Sequence, residues 1–190
     1  MLGKALAVAS EERMQTQLIS LAGKEIKPCD ACLTCRQTKK CHIQDDFDLI
    51  FAKMVEAEAI ILASPVYFGS ATPQIKALID RAGYVSIARG RVFENKVGGA
   101  ITVARRAGHN FTLAQLLFFF LHQGMIVPGS TYWNIGFGRG EGDVLRDEEG
   151  LRTAENFGRK LAWLVRRIHA KGVSPETCSP NYVKKRRKRL

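Results

Sequence analysis

Four of the five cysteines in this 190-residue chain fall within thirteen positions: Cys29, Cys32, Cys35 and Cys41, spaced C-x2-C-x2-C-x5-C. Thiolates are soft ligands, and three of them at successive x2 intervals wrap one compact object, which suits the corners of an iron–sulfur cube. Structural zinc more often uses two separated C-x2-C or C-x2-H knuckles. No second knuckle is present, although His42 stands beside Cys41. Disulfides persist in oxidising compartments. The amino terminus has no apolar core and cleavage site of a secretory leader, so the expected location is the cytoplasm, where thiols stay reduced. A 4Fe–4S cluster, an unoccupied or structural thiol group, and zinc are the open readings, in that order. Cys178, in a Pro-containing tail, is read as a bystander.

Two other stretches carry residues suited to a ligand. "SPVYFGSATP" combines turn formers with the planar side chains of Tyr67 and Phe68, and "ARRAGHN" brings Arg105, Arg106 and His109 together. Each alone is an ordinary turn or a solvated basic face. Both become informative if the fold sets them at one edge of a sheet.

The elements that must do this are legible from periodicity. "ALAVASEERM" reads as a short helix leading to a strand, "QTQLISL". "DDFDLIFAKMVEAE" is a helix, capped by Asp45 or Asp46, with Phe47, Ile50, Phe51 and Met54 on one face. "AIILASPVY" is a continuous apolar run, as expected of a strand buried on both faces of a parallel sheet. "TPQIKALIDRAG" is a helix with Thr72 as cap, Pro73 at the first position, an inner stripe of Ile75, Leu78, Ile79 and Ala82, and Gly83 just past its end. "KVGGAITVA" is a strand, "TLAQLLFFFLHQG" a helix closed by Gly124, and "MIVPG" a short buried strand. After the Gly-rich "IGFGRGEGD", a last helix starts near Asp147 and keeps an apolar face to Ile168. Strands alternating with helices imply one doubly wound α/β domain, with ligands beyond the carboxyl ends of the strands. Residues 1–172 are assigned to it, with a cysteine-rich insert at 27–46, and 173–190 to a basic tail.

Bulk composition bounds the function. A hydrophobic content of 46% with 25% charged residues suits one well-buried soluble domain, and no apolar stretch is long enough to span a bilayer. The net charge is +11, but six of those charges lie in Lys184–Arg189, leaving +5 for the rest. The tail has no interleaved aromatic residues for base stacking, so a nucleic-acid partner is not expected.

In "SPVYFGSATPQIKALIDRAG" and "KVGGAITVARRAGHNFTLAQLLFFFLHQGMIVPG" the chain resembles the flavodoxin-like NAD(P)H-dependent FMN reductases. "IKPCDACLTCRQTKKCHIQDDF" is similar to the cysteine insert of the iron–sulfur flavoproteins in that superfamily. The resemblance implies a three-layer α/β/α fold on a five-stranded parallel sheet that binds FMN at its carboxyl edge. Pro65, Val66, Tyr67, Phe68, Gly69 and Ser70 would surround the isoalloxazine, with Ala104, Arg105, Arg106 and Gly108 in the adjoining loop. Homodimers or homotetramers are also implied, with backbone donors favouring the anionic reduced ring.

One departure stands out. The family pattern opens with a strand and a Ser/Gly-rich phosphate loop, whereas "GKALAVASEERMQTQLISLAGKEIKPC" reads as the second half of the first helix followed by the second strand. "KALAVAS" is too close to "QTQLISL" to be a crossover-linked first strand. A βα unit of ~25 residues is then missing from the pattern. Its absence would leave a gap of ~9–10 Å in the sheet. Three expectations follow: an internal methionine of a longer protein, direct pairing of the second and third strands, or a strand from another chain. The first two predict poor FMN affinity.

The functional reading is an FMN-dependent oxidoreductase or electron-transfer iron–sulfur flavoprotein. Its donor is NAD(P)H or a reduced ferredoxin; the sequence has no G-x-G-x-x-G dinucleotide fingerprint. The alternatives are a simple NAD(P)H-dependent FMN or quinone reductase without a cluster, and a flavin-free domain acting as a binding or scaffold protein. No side chain is assigned as a catalytic acid or base.

Overall fold

The computed structural model describes residues 1–170; the basic tail and Cys178 lie outside the described residues. In chain order the helices and strands are α1 (Leu2–Glu11), α2 (Cys35–Thr38), α3 (Phe47–Glu56), β1 (Ala59–Pro65), α4 (Pro73–Ala88), β2 (Val97–Ala104), α5 (His109–His122), β3 (Ile135–Phe137) and α6 (Glu148–Ile168).

The three strands form one parallel sheet in the order β1-β2-β3. Helices α3, α4 and α5 bury Phe47, Ile50, Phe51, Met54, Leu78, Leu116 and Phe120 against one face. On the other face α1 and α6 pack Ala5, Phe157, Leu161 and Val165 against Val97 and Ile101. The Gly-Gly pair of β2 lets both layers come close. A Cβ on Gly98 would stand 2.3 Å from the Phe120 ring, and one on Gly99 would stand 2.5 Å from the Phe157 ring. Successive strand residues face opposite sides, so each missing side chain admits one phenyl ring.

Several expectations hold in detail. The segment "KALAVAS" is helical, within α1, and Asp147 caps α6 by accepting the Gly150 N–H at 2.9 Å. At α3 the two aspartates divide the work: Asp45 accepts the Phe47 N–H at 3.0 Å, and Asp46 accepts the Glu25 N–H at 2.8 Å.

Others are corrected. Gln15–Leu21 forms no strand; residues 15–20 are exposed, with Leu18 57% accessible. A strand needs a partner for its N–H and C=O groups, and among the described residues none stands beside β1 on its outer edge. Direct pairing of that segment with β1 therefore does not occur. β1 itself alternates between buried and half-buried residues instead of being buried on both faces. Helix α4 runs through Gly83 to Ala88, and Thr72 caps it without a side-chain bond. Gly83 is a packing position against Gln123 and Phe119, not a terminator. "MIVPG" pairs only at Ile126, whose N–H donates to Lys96 O and whose carbonyl accepts from Gly98 N. Pro128, without an N–H, cannot extend that ladder. Pairing resumes at β3, where Asn134 O accepts the Thr102 N–H at 2.9 Å.

Candidate functional site

Because the strands are parallel, Pro65, Ala104 and Phe137 end at one edge of the sheet. The loop after β1 is rigidly built. Val66 N–H donates to Val103 O at 2.8 Å, and Tyr67 and Ser70 exchange backbone hydrogen bonds across Phe68 and Gly69. Both turn residues have positive φ, 48° and 78°, as a two-residue type I′ hairpin requires. Tyr67 and Phe68 are thereby held in solvent, 58% and 111% exposed. Gln115 of α5 fastens the other side: its Oε1 accepts from Ser70 Oγ at 2.9 Å and Ala71 N at 3.0 Å. Ser64 Oγ accepts the Thr72 N–H at 3.0 Å.

The loop after β2 locks into this hairpin at Gly108. A Cβ there would lie 2.8 Å from Val66 Cγ1 and 3.2 Å from Gly69 Cα, and its φ of +91° favours glycine. Gly108 also opens α5, whose first intrahelical bond runs from Thr112 N–H to Gly108 O. The N–H groups of His109, Asn110 and Phe111 precede that bond, so the positive end of the helix dipole points at the same edge. A third loop closes the row: Gly138 N–H donates to Ala104 O, and Asp143 accepts from the Gly140 and Arg139 N–H groups, which hold its pKa below the usual carboxylate range.

The cysteine segment is a loop tied at its base. Besides the Asp46 contact, Asp46 N–H donates to Glu25 O, and Lys27 N–H donates to Asp45 Oδ2 at 2.8 Å. Within it Ala31, Leu33 and Lys39 adopt positive φ without being glycine. Such strain persists only where the surroundings over-determine it. Cys29, Cys32, Cys35 and Cys41 all line one small cleft, shared with Asp30, His42, and Tyr84 and Arg81 of α4. Burial, then the neighbouring charges of Cys32, Cys41 and Cys29, push the Cys35 thiol pKa up. Four soft sulfur donors lining one cleft are a donor set that fits a thiolate-bound metal cluster. The ligand atoms of Asp30, Cys32 and His42 also lie within 4.8 Å of one another, with His42 Nε2 2.7 Å from Asp30 Oδ2. Hydrogen bonds from the Cys32 thiol, the Cys32 N–H and His42 hold the Asp30 pKa below its ordinary value.

Arg81 anchors this segment from beneath. Its side chain and that of Asp45 are both fully buried and meet at 2.6 Å. Burial alone would raise the Asp45 pKa; the hydrogen bonds from Arg81, Lys27 N and Phe47 N outweigh it, and the net shift is downward.

With that geometry in view, the comparisons decide the lineage. The family model for NADPH-dependent FMN reductase matches residues 1–140. The chain belongs to that family. An iron–sulfur flavoprotein of Methanocaldococcus jannaschii is 44% identical over 172 residues, covering 87% of this chain and 88% of its own. Another, from Archaeoglobus fulgidus, is 34% identical and covers 88% and 90%. Among solved structures, RosB superposes with a TM-score of 0.72 at 16% identity over 97% of this chain and 79% of that one. A WrbA-like flavodoxin from Agrobacterium tumefaciens gives 0.57 at 20% identity over 87% and 90%. The fold is flavodoxin-like.

For this member of the FMN reductase family, the structure gathers Pro65–Ser70 and Ala104–Gly108 at one sheet edge and the four cysteines at one cleft. Arg105 and Arg106 are exposed there, while Ala104 is buried. His109 departs from its expected place as an edge charge. It is buried, 3.0 Å through Nε2 from Gly136 O and packed at a tilt against the Phe137 ring, 4.4 Å between centroids, so it pins α5 to β3. Sequence reading missed Arg81, Asp45 as its partner, and Gln115. For Arg81 a signal existed: it falls three residues after Leu78 and four before Val85, a charge on the apolar stripe of α4.

Proposed function

We propose that this protein is an FMN-dependent oxidoreductase of the electron-transferring iron–sulfur type. The observation that carries the reading is the convergence of Cys29, Cys32, Cys35 and Cys41 on one cleft, in a family member whose strand-end loops are preset around an exposed aromatic pair. FMN supplies two-electron acceptance, and a 4Fe–4S cluster supplies one-electron relay. The chain supplies the rest. The Tyr67–Ser70 hairpin offers planar surfaces, and the first-turn N–H groups of α5 offer donors for an anionic ring edge. Ser64 and Gln115 hold the hairpin so that these groups need no rearrangement when the flavin arrives.

NAD(P)H or a reduced ferredoxin serves as donor in this reading, and the cytoplasm as compartment. Among the described residues, no helix is long and apolar enough to cross a membrane. Assembly as a homodimer or homotetramer would cover the exposed Phe111, Phe118 and Leu121 of α5 and Tyr84 and Ile87 of α4. The deciding experiment is anaerobic isolation followed by iron, sulfide and FMN quantification. Brown protein with about four iron and four sulfide per chain, plus FMN, supports the reading. Yellow, iron-free protein would favour the cluster-free reductase, and colourless protein with stoichiometric zinc would overturn the redox reading.

A further inference from the structure

We propose that Arg81 is a positioning residue for the cysteine centre: it holds Cys41 in place as the fourth ligand and raises the reduction potential of the cluster bound there. The inference rests on the iron–sulfur reading of that centre. Its starting point is the spacing. Cys29, Cys32 and Cys35 restrain one another through short x2 links, but Cys41 is reached only after five more residues and the single turn of α2. A ligand on so long a tether needs its own anchor.

The guanidinium provides one. Its Nε–H points at Cys41 Sγ at 3.3 Å. Nη1 donates to Asp45 Oδ2 at 2.6 Å and to Lys27 O at 3.2 Å, and Nη2 donates to Ile43 O at 3.0 Å. Its face lies 4.2 Å from the Phe47 ring centroid. One side chain thus grips the segment before its first cysteine, through Lys27, and after its last, through Ile43. The contacts on both sides leave the fork a single orientation, with Nε directed at sulfur.

That direction is informative. A neutral thiol is a weak acceptor, so an N–H aimed at it gains little; a metal-bound thiolate carries charge and makes the same contact strong. Electron uptake adds negative charge to a cluster and its sulfurs. A donor to a ligand sulfur stabilises the reduced state more than the oxidised one, which raises the potential. Arginine stays protonated throughout, so the donor is permanent. Asp45 balances the guanidinium charge while leaving Nε for the sulfur.

The test uses full-length protein isolated anaerobically, with iron and sulfide assayed first. Wild-type protein without either defeats the reading of the centre, and this inference with it. On loaded wild-type protein carrying nitrogen-15-labelled arginine, pulsed EPR of the reduced cluster is expected to show coupling to an arginine nitrogen, and an adjacent proton that exchanges in D2O. Loaded protein lacking that coupling overturns the proposal while the reading stands, and no variant is required for this measurement. Arg81→Lys keeps the charge but loses the fork. It is expected to shift the midpoint negative, so that the reduced-to-oxidised ratio at a fixed ambient potential falls about tenfold, some 59 mV for a one-electron couple. A loaded Arg81→Lys protein with an unchanged midpoint also overturns the proposal, because a purely structural ion pair would alter stability and leave the potential alone.

Discussion

The strand-end loops and the cysteine segment are held by opposite means. The hairpin at Tyr67–Ser70 continues the sheet: the Val66 N–H just before it extends the β1–β2 ladder, and Gly108 and Gln115 lock its flanks. The cysteine segment has one short helical turn and is fixed by charge, through Arg81 and the two aspartates at its base. Backbone pairing is cheap to keep in any state of the protein. A buried ion pair is worth keeping only while both partners stay, because losing one strands the other in a dry interior. The first region is held by the sheet itself, whereas the second is a frame that depends on a buried ion pair. The two are also apart. Arg81 lies eight residues beyond Pro73, which is ~12 Å along α4 away from the strand ends.

This contrast can be broken in graded ways. The largest effect is chemical: Cys35→Ala should abolish cluster iron while FMN per chain stays at the wild-type level. Parallel loss of flavin would show that the regions are one site. Next, Asp45→Ala leaves the buried guanidinium unpaired and should cost about 3–5 kcal/mol. Urea denaturation of metal-free protein would measure it, and a loss under 1 kcal/mol would contradict the frame described. Gly108→Ala forces a methyl against Val66 at positive φ and should cost about 1–3 kcal/mol while weakening FMN retention, with iron content unchanged. Gln115→Ala removes the acceptor shared by Ser70 and Ala71, for about 1–2 kcal/mol and a smaller rise in FMN dissociation constant. The last is a pH effect. The folded-state pKa of Asp45 is depressed, so its contribution to stability is complete above the ordinary aspartate value of about 3.9 and is lost as pH falls through the lower folded value. Metal-free wild-type protein should therefore lose more stability than Asp45→Asn between about pH 5 and 3. Equal acid sensitivity would argue against an ionised Asp45 in the fold.

How far the sequence foretold this depends on how many residues share each signal. Helices α3, α5 and α6 repeat their apolar positions over several turns, and periodicity finds them. The four cysteines announce themselves by spacing. β3 has three residues, one of them glycine, inside a Gly-rich stretch, and offers no period to read. Gln15–Leu21 has strand-like composition, but a strand is a property of a pair, and among the described residues no strand pairs with it. Gly83 looks like a helix terminator because glycine usually is one; here the helix continues and the small residue makes room for Gln123. Arg81 was hidden by its own chemistry, since a charge in an amphipathic pattern normally marks water. Its burial follows from Asp45 and two carbonyls that are 36 or more residues away in sequence, and no local window contains them.

The Gly98–Gly99 pair carries a practical consequence for every comparison above. The two residues are adjacent on one strand, yet a methyl at 98 would load the layer that contains α4 and the cysteine cleft, and a methyl at 99 would load the layer of α1 and α6. Side by side, they form a matched internal control: the same atom added one position apart separates damage transmitted to the redox machinery from damage to the scaffold at large.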